Sequence, residues 1–264
     1  MTPTILVTGA SRGIGLAIAE ACLRQNAQVF GIGRSTLDSL LEVQALSSQY
    51  PATFRYQVFD LSISGEASNA VDACVAAFGT INTVVHNAGV LEPLSKVADA
   101  DLDKWRSLMQ VNVFAGVEMV QRALPYLRQI DALTGRGGRI VMVSSGAAVS
   151  AYVGWVPYCV SKASMNMLVE GLGLEEPLIT SVAIRPGVVD TDMQGEIRDK
   201  GASAMSQSNH AYFLKLKESG NLLSAKLPGA AIANVALHSV SGMSGKFINW
   251  DDPMIDQLAV IGLK

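Results

Sequence analysis

The chain has 264 residues, of which 49% are hydrophobic and 16% are charged, so its apolar side chains can fill a substantial core. Twenty basic and 23 acidic residues leave a formal charge of −3 without a basic cluster, which argues against nucleic-acid binding. The cysteines Cys22, Cys74 and Cys159 lack metal-ligand spacing. They are predicted to be small buried side chains, and no metal site is expected.

Two segments bear on membrane association and location. Residues 1–11 lack the basic region and the long apolar segment of a signal peptide, and a cytoplasmic protein is expected. Residues 140–161 carry no charge and are long enough to span a bilayer. Their serines, glycines and proline suit lipid poorly, so a buried strand that runs into a loop is the better interpretation.

Strand-like apolar runs alternate with helix-like amphipathic segments along the chain. The predicted strands are residues 4–7, 28–32, 54–58, 83–86, 139–143, 179–184 and 246–248. The predicted helices are residues 13–25, 37–46, 66–78, 102–127 and 157–174. The fully apolar runs among these strands point to a sheet covered on both faces, so we expect a seven-stranded parallel sheet in one doubly wound α/β domain over residues 1–264.

Residues 191–227 interrupt this alternation. They are polar, dotted with methionine and rich in serine and glycine, and they follow the end of a predicted strand. Ligands of a doubly wound sheet bind at the carboxyl ends of its strands, so this segment is predicted to be a substrate lid. A helical excursion with only a structural role is the alternative.

A glycine turn, TGASRGIG at positions 8–15, joins the first predicted strand to the first helix. Gly9 permits a tight turn, Gly13 lets the backbone approach a pyrophosphate, and Gly15 allows close helix packing. The helix start then offers free N–H groups and a positive dipole end to phosphates. The pattern predicts dinucleotide binding at Gly9, Ser11, Arg12, Gly13, Ile14 and Gly15.

The end of the second strand bears on the choice of dinucleotide. An NAD site places a carboxylate there, which would repel a 2′-phosphate. Here Gly33 is followed by Arg34 and Ser35, and Arg12 could meet a phosphate from the other side. Guanidinium groups suit phosphate, so NADPH/NADP+ is the favoured cofactor. Two solvated surface arginines are the alternative interpretation.

Tyr158 and Lys162 are four residues apart on a predicted helix, so their side chains lie on one face. A neighbouring ammonium favours the phenolate, and we therefore expect the pKa of Tyr158 to be lowered. Tyr158 is then a candidate general acid for a developing alkoxide. Ser145, at the end of the fifth strand, could hydrogen-bond the same oxygen.

These motifs form an ordered set that covers nearly the whole chain. In order they are TGASRGIG (8–15), Asp60-Leu61, Asn87-Ala88-Gly89, Asn112, Ser145, Tyr158 with Lys162, and Pro186-Gly187. The set resembles the short-chain dehydrogenase/reductase family. The resemblance implies a Rossmann fold and a catalytic tetrad of Asn112, Ser145, Tyr158 and Lys162.

The same resemblance assigns further roles. In that family the asparagine holds a water in a proton relay with the lysine, and the lysine also contacts the nicotinamide ribose. The further cofactor-binding residues that it implies are Asp60, Leu61, Asn87, Ala88, Gly89, Tyr158, Lys162, Pro186, Gly187, Val189 and Thr191. His86 is interpreted as a packing residue at a strand end. The family commonly forms homodimers or homotetramers through its long helices, here residues 102–127 and 157–174.

Finer features are similar to sepiapterin reductases and to benzil reductases. They are EEP (175–177), RPGVVDTDMQ (185–194), LKESGNLLSAK (216–226) and NAGVLEP (87–93). Asn249 aligns with an aspartate that anchors the pterin in sepiapterin reductases, and an asparagine brings no charge there. The predicted substrate residues are Ser145, Trp155, Tyr158, Met193 and Asn249. Other aromatic residues available for a substrate wall are Tyr152, Trp105, Tyr212, Phe213 and Trp250.

The sequence therefore predicts an NADPH-dependent carbonyl reductase that acts on a ketone or a benzil-like α-diketone, with Tyr158 as the general acid. Sepiapterin reduction is the first alternative. An NAD-dependent alcohol dehydrogenase of the same fold is the second, and a non-catalytic dinucleotide-binding regulator is the third.

Overall fold

Seven parallel strands form one sheet in the computed structural model, which describes residues 2–132 and 135–261. The strand order is β3-β2-β1-β4-β5-β6-β7. In chain order the strands are β1 (Thr4–Thr8), β2 (Gln28–Gly33), β3 (Phe54–Val58), β4 (Thr83–His86), β5 (Arg139–Val143), β6 (Thr180–Arg185) and β7 (Lys246–Asn249). Each strand agrees with its predicted bounds to within one residue at either end, so the predicted sheet is confirmed.

Helices cover both faces of the sheet. They are α1 (Gly13–Arg24), α2 (Leu41–Gln49), α3 (Glu66–Phe78), α4 (Leu102–Met109), α5 (Ala115–Leu127), α6 (Val156–Glu175), α7 (Asp192–Lys200), α8 (Gln207–Glu218), α9 (Lys226–His238) and α10 (Pro253–Ile261). Within residues 2–132 and 135–261, none of them is long and apolar enough to cross a bilayer. The uncharged residues 140–161 form β5, a loop and the start of α6, as the sequence predicts.

Successive side chains of each strand point to opposite faces of the sheet, so the core is divided into two layers. Ile5 and Val7 of β1 pack with α1, α2, α9 and α10 on one face. Leu6, between them, packs with α3, α5 and α6 on the other. All three side chains are fully buried, because a parallel strand under two helical layers has no solvent face. Cys22 and Cys74 lie in these layers and Cys159 lies in a third cluster with Trp155 and Tyr158, and all three are buried as predicted.

Two predicted helices differ from those observed. The predicted helix 102–127 is divided by a π-helical turn, Gln110–Phe114, between α4 and α5. The apolar spacing of this segment resembles that of a plain α-helix, so the extra residue of a π-turn leaves little trace in it. The predicted helix 37–46 begins as a 3₁₀ turn, Leu37–Ser39, and α2 starts later because Leu40 is not helical (φ −122°, ψ 79°).

The predicted lid, residues 191–227, forms α7, α8 and the start of α9. Its two ends are held together, because Val189 pairs with Leu223 in a parallel bridge and Lys217 lies 2.8 Å from the Asp190 carboxylate. Lys200 of α7 also forms an ion pair with Glu92, in the loop after β4. The segment is therefore a compact helical unit that is fastened to the strand ends.

The glycine turn has the backbone that its sequence predicts. Gly9 and Gly13 have positive φ angles, 66° and 56°, which favour glycine. A Cβ added at Gly15 would lie 2.1 Å from the carbonyl oxygen of Gly9 and 2.5 Å from the amide nitrogen of Asn87. The first turn of α1 can therefore approach the strand ends only without a side chain at position 15.

We expect Gly15→Ala to lower the free energy of unfolding by about 1–3 kcal/mol, because a methyl group there displaces backbone atoms. Gly171→Ala is the matched control, since a Cβ at that position in α6 has no atom within 4 Å. It should leave stability unchanged or raise it by up to about 1 kcal/mol, as expected for alanine in a helix. Denaturant unfolding measures both changes, and equal stabilities for the two variants would contradict the packing described.

Candidate active site

One cavity of about 540 Å³ opens at the carboxyl edge of the sheet. Its volume lies within the range of ligand pockets, which is roughly 300–1,000 Å³. It is bounded by the glycine turn, the segments after β4, β5 and β6, and α7 and α8. The strand order reverses between β1 and β4, so the cavity lies at the position where doubly wound sheets bind ligands.

Nearly all the predicted cofactor residues line this cavity. They are Gly9, Ser11, Arg12, Gly13, Ile14, Gly15, Arg34, Asp60, Leu61, Asn87, Ala88, Gly89, Tyr158, Lys162, Pro186, Gly187, Val189 and Thr191. Ser35 is the exception. It is exposed, and its backbone carbonyl accepts a hydrogen bond from the Tyr56 hydroxyl at 3.0 Å.

The start of α1 fits a phosphate group. Arg12, at the cap position, makes no side-chain hydrogen bond to the helix end, so the first N–H groups of α1 are not taken by a side-chain cap. A Cβ at Gly13 would lie 3.4 Å from the Thr191 methyl group, so the glycine turn and the start of the segment 191–227 lie close together here. This cradle suits the pyrophosphate of a dinucleotide.

The two arginines that are predicted to bind one phosphate group differ in their ion pairs. Arg12 lies 2.8 Å from the carboxylate of Asp192, which the sequence did not single out. Arg34 forms no ion pair among the described residues, although its charge contributes to a lowered pKa at Asp60. The main cause of that shift is a hydrogen bond from the backbone N–H of Ser62, at 3.0 Å. Arg34 is thus the arginine whose guanidinium is free for an anionic group.

Tyr158, Lys162 and Ser145 come together at the wall of the cavity. Tyr158 and Lys162 lie on the first two turns of α6 and are 6% and 3% exposed. The Lys162 ammonium lies 5.6 Å from the centre of the Tyr158 ring and donates to the Val143 carbonyl oxygen at 2.8 Å. Ser145 follows β5, and its hydroxyl hydrogen-bonds Tyr158. An acid, a cation and a hydroxyl therefore face the same cavity.

The expected lowering of the Tyr158 pKa is wrong. Burial raises the pKa of Tyr158 to about 12, and the hydrogen bond with Ser145 offsets this only in part. Burial also lowers the pKa of Lys162 to about 8. Loss of water opposes charge on both groups, and the ammonium lies over the Tyr158 ring, 5.6 Å from its centre. Tyr158 is therefore protonated at neutral pH, as a proton donor must be.

Asn112, the fourth member of the predicted tetrad, lies in the π-helical turn and is fully buried. Its side-chain amide donates to the Val90 carbonyl at 2.9 Å and to the Ser161 hydroxyl at 3.0 Å. Its amide oxygen accepts from the Val90 N–H at 2.8 Å. Asn112 does not line the cavity, so any contribution to proton transfer must come from its backbone.

Aromatic rings pack beside Tyr158 and form an aromatic wall of the cavity. Trp155 packs edge-on to Tyr158, with ring centres 6.1 Å apart, and stacks on Phe213 of α8 at 5.3 Å. Tyr152 lies 5.0 Å from Trp155. Trp155, Tyr152, Phe213 and the predicted Met193 line the cavity. The other aromatic candidates Trp105, Tyr212 and Trp250 do not.

The structure does not bring Asn249 to the cavity. It is exposed at the end of β7, where the alternation of the strand buries Ile248 and turns its neighbour outward. Arg185, which pairs with Asn249 in the sheet register, lines the cavity instead. A Cβ at Gly146, next to Ser145, would lie 3.0 Å from the Arg185 guanidinium. Sequence reasoning missed Arg185, although its place before Pro186-Gly187 marks a strand end.

Comparison with known proteins agrees with this geometry. Residues 3–202 match the family model described as short chain dehydrogenase. An uncharacterised oxidoreductase of Schizosaccharomyces pombe is 44% identical over 247 residues, or 93% of this chain and 95% of that protein. A benzil reductase ((S)-benzoin forming) of Saccharomyces cerevisiae is 34% identical over 263 residues, or 96% and 97% of the two chains.

A solved short-chain dehydrogenase/reductase of Saccharomyces cerevisiae is 35% identical and has a TM-score of 0.88. The match covers 97% of this chain and 99% of that one. The sequence motifs, the sheet order and the cavity geometry are thus shared with proteins of one family. This chain belongs to the short-chain dehydrogenase/reductase family of oxidoreductases.

Proposed function

We propose that this oxidoreductase is an NADPH-dependent carbonyl reductase that acts on aromatic α-diketones of the benzil type. One observation carries the proposal: a buried, protonated Tyr158 lies beside Ser145 and Lys162 at the wall of a cavity lined by aromatic rings. A carbonyl group held against Tyr158 and Ser145 can receive a proton on its oxygen.

Ser145, Tyr158 and Lys162 have separate roles in the proposed carbonyl reduction. The bound dinucleotide would supply hydride to the carbonyl carbon. Ser145 can donate a hydrogen bond to the carbonyl oxygen, which polarises the group and stabilises charge that develops on it. Tyr158 then transfers its phenolic proton to that oxygen. The Lys162 ammonium, 5.6 Å from the ring centre, stabilises the phenolate that remains.

The proposed preference for NADPH depends on charge at the end of β2. Gly33 brings no carboxylate against a 2′-phosphate, and Arg34 is available to bind it. Arg12 could add a second contact if it left Asp192. Glu42 also lines this part of the cavity. Among the acidic residues of the lining, it is the closest to Arg34 in the sequence.

The charge near Ser145 supports a diketone over a pterin. The Arg185 guanidinium forms no ion pair in the described part of the chain and borders the cavity at Gly146. Arginine only donates hydrogen bonds, so it suits a second carbonyl oxygen and would repel a protonated pterin. The aromatic wall suits phenyl rings. The similarity to a benzil reductase agrees with this substrate class.

Further predictions from the sequence remain proposals. The alternatives of an NAD-dependent dehydrogenase and a non-catalytic regulator are addressed by cofactor titration and by turnover. A homodimer or homotetramer would use α4, α5 and α6, where Phe114, Val160 and Met167 are exposed apolar side chains near or on these helices. A cytoplasmic location and a lid role for residues 191–227 are proposed on the same footing.

The proposed activity is tested by NADPH oxidation with benzil, other α-diketones, sepiapterin and simple ketones, with chiral analysis of products. We expect turnover of benzil, and we expect Tyr158→Phe to lower kcat by about 10²–10⁴-fold through loss of the acid. Tyr152→Phe is the matched control and should keep kcat within about threefold. Turnover of sepiapterin without turnover of diketones would overturn the proposed substrate class.

Arg34→Ala should raise the KM for NADPH by about tenfold or more and leave that for NADH nearly unchanged, because it removes hydrogen bonds to a charged group. Arg106→Ala, which alters an exposed arginine of α4, is the control and should change neither constant. Steady-state kinetics with both dinucleotides measure the ratio. An unaltered NADPH/NADH ratio in Arg34→Ala would count against the assignment.

The pH profile of reduction should follow Lys162. Its pKa near 8 keeps the ammonium charged below that pH, and the charge is lost above it, while Tyr158 stays protonated up to about pH 12. We therefore expect kcat/KM for reduction to be highest below pH 8 and to fall above it. A plateau that extends to about pH 10, where an unperturbed lysine titrates, would contradict this.

A further inference from the structure

His86 is a fully buried histidine that the proposed chemistry does not use. It ends β4 and lies between the end of β1 and the π-helical turn. Its Nδ1 lies 3.3 Å from the Thr8 hydroxyl, and its Nε2 lies 3.2 Å from the backbone carbonyl oxygen of Asn112. The interpretation as a packing residue is therefore incomplete, because both ring nitrogens have polar partners.

These partners determine which nitrogen carries the proton. A carbonyl oxygen can only accept, so the contact with Asn112 requires a hydrogen on Nε2. The Thr8 hydroxyl already accepts from the N–H groups of Asn87, at 3.0 Å, and Ala88, at 2.8 Å. Its single hydrogen is left for Nδ1 of His86. The contacts describe a neutral ring with the hydrogen on Nε2.

The surroundings of the ring agree with a neutral state. Burial is the main cause that lowers the pKa of His86 to about 4, and the charge of Lys162 adds to it. A Cβ at Gly116, in the first turn of α5, would lie 3.0 Å from the ring carbon Cδ2. The helix thus approaches the ring closely, and there is little space for the ring to turn.

The carbonyl that His86 contacts belongs to Asn112, a residue of the π-turn that lies close to Lys162. The side chain of Asn112 is fully engaged with Val90 and Ser161. A Cβ at Gly89 would lie 3.4 Å from the Asn112 amide oxygen and 3.5 Å from the Lys162 ammonium, so the two residues are neighbours. A carbonyl oxygen has two lone pairs, so it can accept a hydrogen bond beside the one from His86.

We propose that His86 is a positioning residue that acts through Asn112. Its neutral ring, protonated on Nε2, links the glycine turn to the π-turn and fixes the Asn112 carbonyl where a water can connect it to Lys162. The role rests on the proposed function, because the position of this carbonyl matters to the rate only if protons reach Tyr158 along that path.

Two substitutions at His86 test the contacts of the two ring nitrogens separately. His86→Gln places an amide nitrogen near the position of Nε2 and keeps a donor for the Asn112 carbonyl. His86→Asn places its amide near Nδ1 and keeps only the contact with Thr8. We expect His86→Gln to retain kcat within about threefold. We expect His86→Asn to lower kcat by about 10- to 100-fold, as small displacements in a reacting site do.

NADPH affinity and thermal stability distinguish a positioning role from a structural one. Both variants should bind NADPH within about twofold of the unmodified protein, since His86 does not line the cavity. Unaltered kcat in His86→Asn would overturn the proposal. Parallel losses of kcat and NADPH affinity in both variants would do the same, because they would indicate damage to the fold.

Nitrogen NMR of the histidine rings tests the tautomer without any turnover. The protein has three histidines, and His238→Gln removes the signals of a half-buried ring and so aids assignment. At pH 7 the His86 ring should show a protonated Nε2 and an unprotonated Nδ1, and the reverse pattern would overturn the proposal. If the unmodified protein reduces no carbonyl on the panel, the proposed function fails while the NMR result still decides the tautomer.

Discussion

The reversal of strand order between β1 and β4 is the constraint on which the site depends. These strands are neighbours in the sheet although two others lie between them in the chain, and Leu6 stands opposite Val84 in their register. The register places Thr8 beside the segment after β4, where its hydroxyl accepts two backbone N–H groups. The chain then leaves β1 and β4 in different directions, and the gap between them is the floor of the cavity.

Elements with local signals could be predicted from the sequence. The strands were recognisable because uninterrupted apolar runs, such as residues 140–143, are typical of strands that are covered on both faces. The glycine turn was recognisable because a positive φ at Gly9 and Gly13 leaves glycine as the favoured residue. The spacing of Tyr158 and Lys162 placed both on one face of α6, and the structure confirms that they are neighbours.

Features that depend on residues far apart in the chain could not be predicted from these local signals. The pKa of Tyr158 is determined mainly by burial under residues from several elements, which spacing along α6 does not report. Asn112 in the π-turn hydrogen-bonds Val90, which lies 22 residues earlier in the chain, whereas the apolar spacing nearby is compatible with an ordinary helix. Alignment suggested Asn249 at the substrate, but the pleat of β7 turns it outward and Arg185 takes the place beside the cavity.

The segment after β6 leaves the sheet and returns to the same point, and this affects how the site can change in evolution. Val189 and Leu223 meet in a bridge, so the chain between them leaves the sheet and returns to the same point. Its length can change at a small cost in loop-closure entropy, because the span of its ends is fixed by that bridge. Phe213 stands inside this excursion, whereas Tyr158 stands outside it. Insertions and replacements there can reshape the part of the cavity beside Phe213 while Tyr158, the proposed proton donor, keeps its position.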